Sequence, residues 1–170
     1  MKINLLFHSL SITKVISTAC LLILIISATH ILNVISIYNN QTKNYAAISS
    51  LIELKYAAHN FLLEVKYTQH SSQSAFEKLS PFLIQDKLTH HFFDVAEINK
   101  SHETLKDEYL SIQKQLSNFS RYRLEYRLFS FVENIDVAIK QYQSLLKKES
   151  NLITASELIA FFLIAFCSLV

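Results

Sequence analysis

Glycine is absent from all 170 residues, where average usage of about 7% would supply roughly a dozen. Tight phosphate-cradling loops and turns with positive φ depend on glycine, so Rossmann, P-loop and kinase glycine-loop chemistry are excluded. Proline occurs once, at Pro81, which leaves long helices uninterrupted elsewhere. Both scarcities point to an all-α chain. The two cysteines, Cys20 and Cys167, both lie in strongly apolar surroundings. Neither can staple the middle of the chain, and no CxxC or thiolate metal pattern occurs, so that region folds by packing alone. A dominant charge is missing too. The formal net charge of +2 is too small to imply a nucleic acid partner.

What the chain does have is two long oily runs. Val15 to Ile37 reads VISTACLLILIISATHILNVISI and contains no Lys, Arg, Asp or Glu, only His30. Leu152 to Val170 reads LITASELIAFFLIAFCSLV, with Glu157 as its only charge. A hydrocarbon core about 30 Å thick needs roughly 20 such residues as helix. The expected organisation is a cytoplasmic start over 1–14, a transmembrane helix over 15–37, a periplasmic domain over 38–151 and a second transmembrane helix over 152–170. Lys2 and Lys14 precede the first run and place the N-terminus in the cytoplasm. A cleaved signal has an apolar core of about 7 to 15 residues followed by small ones. This run is longer, and Ile35 and Ile37 follow its small residues, so an uncleaved anchor is expected. Ser17-Thr18-Ala19-Cys20 is similar to a lipoprotein box, but LLILII follows the cysteine where a lipoprotein turns polar. Counted from Glu157, about 13 residues remain, roughly 20 Å of helix and short of a full crossing. The expectation is that this is the N-terminal part of a longer receptor.

Between the runs the spacing is that of heptads. Ala47, Leu51, Leu54, Ala58, Phe61, Val65 and Thr68 alternate steps of four and three, as do Leu124, Leu128, Phe131, Ile135, Ala138, Tyr142 and Leu145. Leu105, Tyr109, Ile112, Leu116 and Phe119 form a shorter seam, and Ile84, Leu88, His91, Val95 and Ile98 a weaker one. Gln69 to Ser74, Asn99-Lys100-Ser101 and Ser117 to Ser120 divide them, and Ser80-Pro81 starts a helix with serine as N-cap and proline at N1. Four seams predict an antiparallel four-helix bundle, its two long helices continuous with the flanking transmembrane helices. The short pair is expected to start from the distal tip and cover only the outer half. That would leave a partly bare seam around Ala47, Leu51, Leu54, Tyr142 and Leu145, so a parallel homodimer is expected there.

A short cytoplasmic start, one anchor, a periplasmic helical bundle and a return helix resemble the sensor end of bacterial transmembrane receptors, namely chemoreceptors and nitrate-type sensor histidine kinases. The resemblance lies in architecture and heptads, and no ligand motif carries over residue by residue. It implies that ligand at the bundle shifts one membrane helix slightly and so controls a cytoplasmic module. The rival is a stand-alone membrane-anchored helical scaffold or interaction protein.

Arg121, Tyr122, Arg123, Tyr126 and Arg127 make the densest basic patch. Arg123 and Arg127 are four apart, as are Tyr122 and Tyr126. Planar guanidinium forks at a helix N-terminus suit a small carboxylate or nitrate-like anion. The blander reading is a solvated face partly neutralised by Glu125. His90 and Asp94, with Glu97 on the same face and His59, His70 and His102 as further candidates, could begin a metal site. Adjacent His90 and His91 diverge, however, and no other pair has ligand spacing, so no metal is assigned. Glu157 and His30 are the polar groups within the oily runs. At its shallow depth Glu157 reaches headgroups and water, and His30 is a candidate to pair with a polar group on the returning helix. No GxSxG, HExxH or paired catalytic carboxylates occur, and Tyr and Phe at heptad spacing are core rather than a cofactor box. The expectation is a non-enzymatic chain without cofactors, with the lipid bilayer, a second copy and a small anion or periplasmic protein as partners.

Overall fold

The computed structural model describes residues 2–67, 76, 77, 79, 95–116 and 121–169. Helix α1 spans Lys2–Tyr67, α2 spans Ala96–Leu116 and α3 spans Arg121–Leu169. No helix-breaking residue falls inside any of them. Glu97 in the first turn of α2 and Lys114 in its last complement the helix dipole.

Among the described residues there are three helices and no strand. The chain is all-α, but the four-helix bundle is corrected to three helices. The weakest seam caused the error. Its Ile84, Leu88 and His91, like Ser80-Pro81 and the Gln69 to Ser74 turn, lie outside the described residues, while Ile98 belongs to α2. The division at Asn99-Lys100-Ser101 does not exist, and α2 runs straight through it. Polar residues cost a helix only tenths of a kcal/mol each, unlike proline. The seam outweighs them: Ile98, Leu105 and Ile112, seven apart, are 4%, 1% and 0% exposed.

The chain divides into two compact units, one of residues 42–147 and one of 1–41 with 148–170. In the first, contacts fix the helix directions. Lys55 of α1 meets Asp136 of α3, and residues 59–66 of α1 share a groove with 122–129 of α3, so these helices are antiparallel. His102 of α2 meets Tyr142 of α3, while Glu108 meets Ser130 and Asn134, so α2 is antiparallel to α3 as well. The core joins Ala47, Leu51, Leu54, Ala58, Phe61 and Val65 of α1 to Leu124, Leu128, Phe131, Ile135, Ala138, Tyr142 and Leu145 of α3. Phe76 and Leu79, from the stretch after α1, are fully buried against it. The Phe76 ring stacks on Tyr109 at 4.6 Å and tilts against Phe61 at 5.8 Å.

This layout corrects the bare seam. Leu51, Leu54, Tyr142 and Leu145 are between 0% and 4% exposed within one chain. α2 does not stop at the outer half. It reaches back along α3 to Gln141, whose Oε1 accepts a hydrogen bond from Ser101 Oγ at 2.8 Å, and to Tyr142. These four residues therefore offer no surface to a second copy.

The other unit has the opposite character. Its two helical stretches are long and apolar enough to cross a membrane. Leu24, Leu32, Phe161, Phe162 and Phe166 are each about two-thirds exposed. Ile37, Ile153 and Ala160 are buried, as is Glu149. Within it a groove of about 400 Å³ is lined by Lys14, Val15, Thr18, Ala19, Leu22, Phe166 and Cys167.

Candidate functional site

The first turns of α3 present the basic patch. Leu124 and Leu128 turn into the core. Tyr122 and Tyr126 are 80% and 69% exposed, and Arg123 and Arg127 are exposed beside them. All four, with Ser130, line a shallow groove of about 370 Å³. The side chain of Arg121, which opens α3, lies outside the described residues.

Behind this groove stands a carboxylate. Ser130 Oγ donates to Glu108 Oε1 at 3.1 Å, and Asn134 Nδ2 donates to the same oxygen at 2.8 Å. The other oxygen, Oε2, is buried and finds no hydrogen-bond donor among the described residues. With its proton committed to Glu108, Ser130 offers the groove only acceptor lone pairs. The donors lining the groove are the two guanidinium groups, five N–H each, and the hydroxyls of Tyr122 and Tyr126. Such a set is matched by planar oxyanions, which guanidinium binds bidentately.

A second groove, of about 450 Å³, lies on the other side of the Tyr122–Tyr126 ridge. His59, Leu62, Leu63 and Lys66 of α1 face Tyr122, Glu125, Tyr126 and Phe129 of α3 across it. The Lys55 Nζ to Asp136 Oδ1 ion pair, at 2.7 Å, joins the same two helices farther along. Both its side chains are about 40% exposed, so it contributes little, roughly 0–1 kcal/mol.

His102 and Tyr142 form a polar contact at the edge of the core. Nε2 and Oη are 2.8 Å apart, with the imidazole tautomer deciding which donates, and the rings meet edge-on at 5.7 Å. Burial favours the neutral form of each. It lowers the imidazole below its usual range and pushes the phenol up to about 12.

The metal candidates fare differently. His90 and Asp94 lie outside the described residues. Among the described residues no group of three or more His, Cys, Asp or Glu could hold a metal ion. His59 and Glu97 are both exposed, and His102 is engaged by a tyrosine.

Glu108 with Ser130 and Asn134 was missed from the sequence. The signal available was Ser130 and Asn134, four apart on one side of α3. Compared with known families and curated proteins, the sequence matches no family model and no curated protein.

Proposed function

We propose that this chain is the sensory and membrane-spanning part of a bacterial signal-transduction receptor. The observation that carries the reading is continuity. α1 and α3 each run without a break from a membrane-length apolar stretch into the packed unit 42–147. In this reading the apolar stretches cross the inner membrane and the packed unit faces the periplasm. Binding near the start of α3 shifts that helix against α1, and the shift passes inward without a flexible joint. A cytoplasmic output module, of sensor-kinase or chemoreceptor type, then receives it. No catalytic step is assigned to the residues of this chain.

The groove of Arg123, Arg127, Tyr122, Tyr126 and Ser130 is the proposed binding place, and a small anion bearing a planar carboxylate or nitrate-like group is the proposed ligand. To transmit anything, that ligand must bind the two positions of α3 with unequal affinity. The test uses the full chain in lipid nanodiscs, titrated with a panel of small carboxylates and nitrate while thermal unfolding is followed. At least one is expected to raise the melting temperature of the natural chain. That rise is expected to vanish in Arg123→Glu/Arg127→Glu. A melting temperature indifferent to the whole panel would remove the groove as an anion site. Orientation is tested separately, by a membrane-impermeant maleimide on Tyr126→Cys in intact cells. Protection until the membrane is opened would end the receptor reading.

A further inference from the structure

The groove in the apolar unit has one charged end and an otherwise oily wall. Val15, Ala19 and Leu22 of α1 and Phe166 and Cys167 of α3 line it, and Lys14 stands at the end where the apolar run begins. Thr18, also in the lining, donates its hydroxyl proton to the Lys14 carbonyl oxygen at 2.8 Å. The thiol of Cys167 is only a weak donor. Beyond Lys14 the wall therefore presents no strong donor, and a sugar, base or peptide would leave polar atoms unpaired there. From Lys14 to Leu22 the α1 wall rises about 12 Å. The charge at its end is not neutralised nearby. No Asp or Glu precedes Glu53 in the chain and none follows Glu157. Among the described residues no carboxylate pairs with the Lys14 ammonium.

We infer that this groove is a binding site for an anionic phospholipid, with one acyl chain along Val15, Ala19 and Leu22 and the phosphate against Lys14. The inference goes beyond the sensory reading and needs only that the apolar stretches sit in a bilayer, where lipid borders every exposed groove. An amphiphile with an oily tail and one negative head is the complement of an oily wall ending in one cation. Within a bilayer an acyl chain gains nothing by leaving water, so the wall alone does not select among lipids. Selection rests on the headgroup. Phosphatidylglycerol carries a net negative charge, whereas the choline of phosphatidylcholine cancels that of its own phosphate. At the edge of the hydrocarbon, attraction between phosphate and ammonium is less screened than in bulk water.

The test is native mass spectrometry of the full chain in detergent, given equal amounts of phosphatidylglycerol and phosphatidylcholine with identical acyl chains. The 19.6 kDa chain is expected to retain one phosphatidylglycerol at least fivefold more often than one phosphatidylcholine. Lys14→Gln is expected to bring that ratio below twofold. Lys43→Gln removes an equal charge from an exposed position outside the groove and is expected to leave the ratio at fivefold or more. Ala19 ends at its Cβ, so Ala19→Phe fills the hollow with Lys14 in place and is expected to lower phosphatidylglycerol retention at least fivefold. Inorganic phosphate in excess is expected to leave the lipid bound. Displacement by it would mean an anion site without a tail groove and would overturn the inference. So would equal retention of the two lipids by the natural chain, or a ratio lowered alike by Lys14→Gln and Lys43→Gln. Lys14 is exposed, so its variant keeps the fold and decides the outcome even where Ala19→Phe does not fold. Orientation is read by the maleimide alone, so the lipid site and the receptor reading fail separately.

Discussion

Phe131 and Phe162 are the same residue on the same helix, yet one is 0% and the other 67% exposed. In the unit of residues 42–147, the apolar side chains of the inner heptad seams hide from water against neighbouring helices. In the unit of 1–41 and 148–170 apolar side chains stand outward along most of each helix. The difference teaches that apolar content alone does not make a core. Burial requires a neighbour, and a helix with bare phenylalanines at 161, 162 and 166 is suited to lipid instead.

The sharpest way to break the comparison is to truncate both phenylalanines. Phe131→Ala is expected to destabilise the packed unit by about 3–5 kcal/mol. Phe162→Ala is expected to leave its unfolding within roughly 0.5 kcal/mol. Chemical unfolding in nanodiscs, followed by helicity, measures both, and equal losses would erase the distinction.

A smaller effect separates the two units by pH. His102 is held below its ordinary range, so the unfolded chain takes up a proton that the folded one refuses. Stability is therefore expected to fall as pH drops through about 6.5, and to flatten once the folded imidazole is also charged. Tyr142 acts at the other end. Its phenol is raised to about 12, so stability is expected to fall between about pH 10 and 12, where only the unfolded chain releases that proton. Tyr142→Phe is expected to abolish this alkaline limb and to cost about 1 kcal/mol at neutral pH through the lost hydrogen bond. Melting temperatures across the pH range would show either limb, and persistence of the alkaline one in Tyr142→Phe would assign it elsewhere.

The smallest effect concerns the surface ion pair. Lys55→Ala is expected to cost under about 1 kcal/mol, because Lys55 and Asp136 are both well solvated. A loss as large as that of Phe131→Ala would show that the pair is more than a surface contact.

Much of the fold was legible because the periodicity was strong. Ala47 through Val65 and Leu124 through Leu145 lie in the core where their spacing puts them. The helix count was not legible. A polar Asn-Lys-Ser triplet resembled a boundary, although Ile98, Leu105 and Ile112 carried the seam through it. Mistaking the extent of α2 then made Leu51, Leu54, Tyr142 and Leu145 look bare, although they are between 0% and 4% exposed. In the candidate site, the arginines and tyrosines were legible as a local cluster within one helix. Glu108 was not, because its meeting with Ser130 and Asn134 depends on how α2 lies along α3. The His102–Tyr142 contact was hidden for the same reason.

The placement of Tyr142 has a practical corollary. The chain contains eight tyrosines and no tryptophan, so its near-ultraviolet signal comes from phenols without an indole background. Burial makes the Tyr142 phenol hold its proton until about 12. An alkaline spectrophotometric titration therefore carries a late step from Tyr142, a label-free gauge of whether the helices around it have come apart.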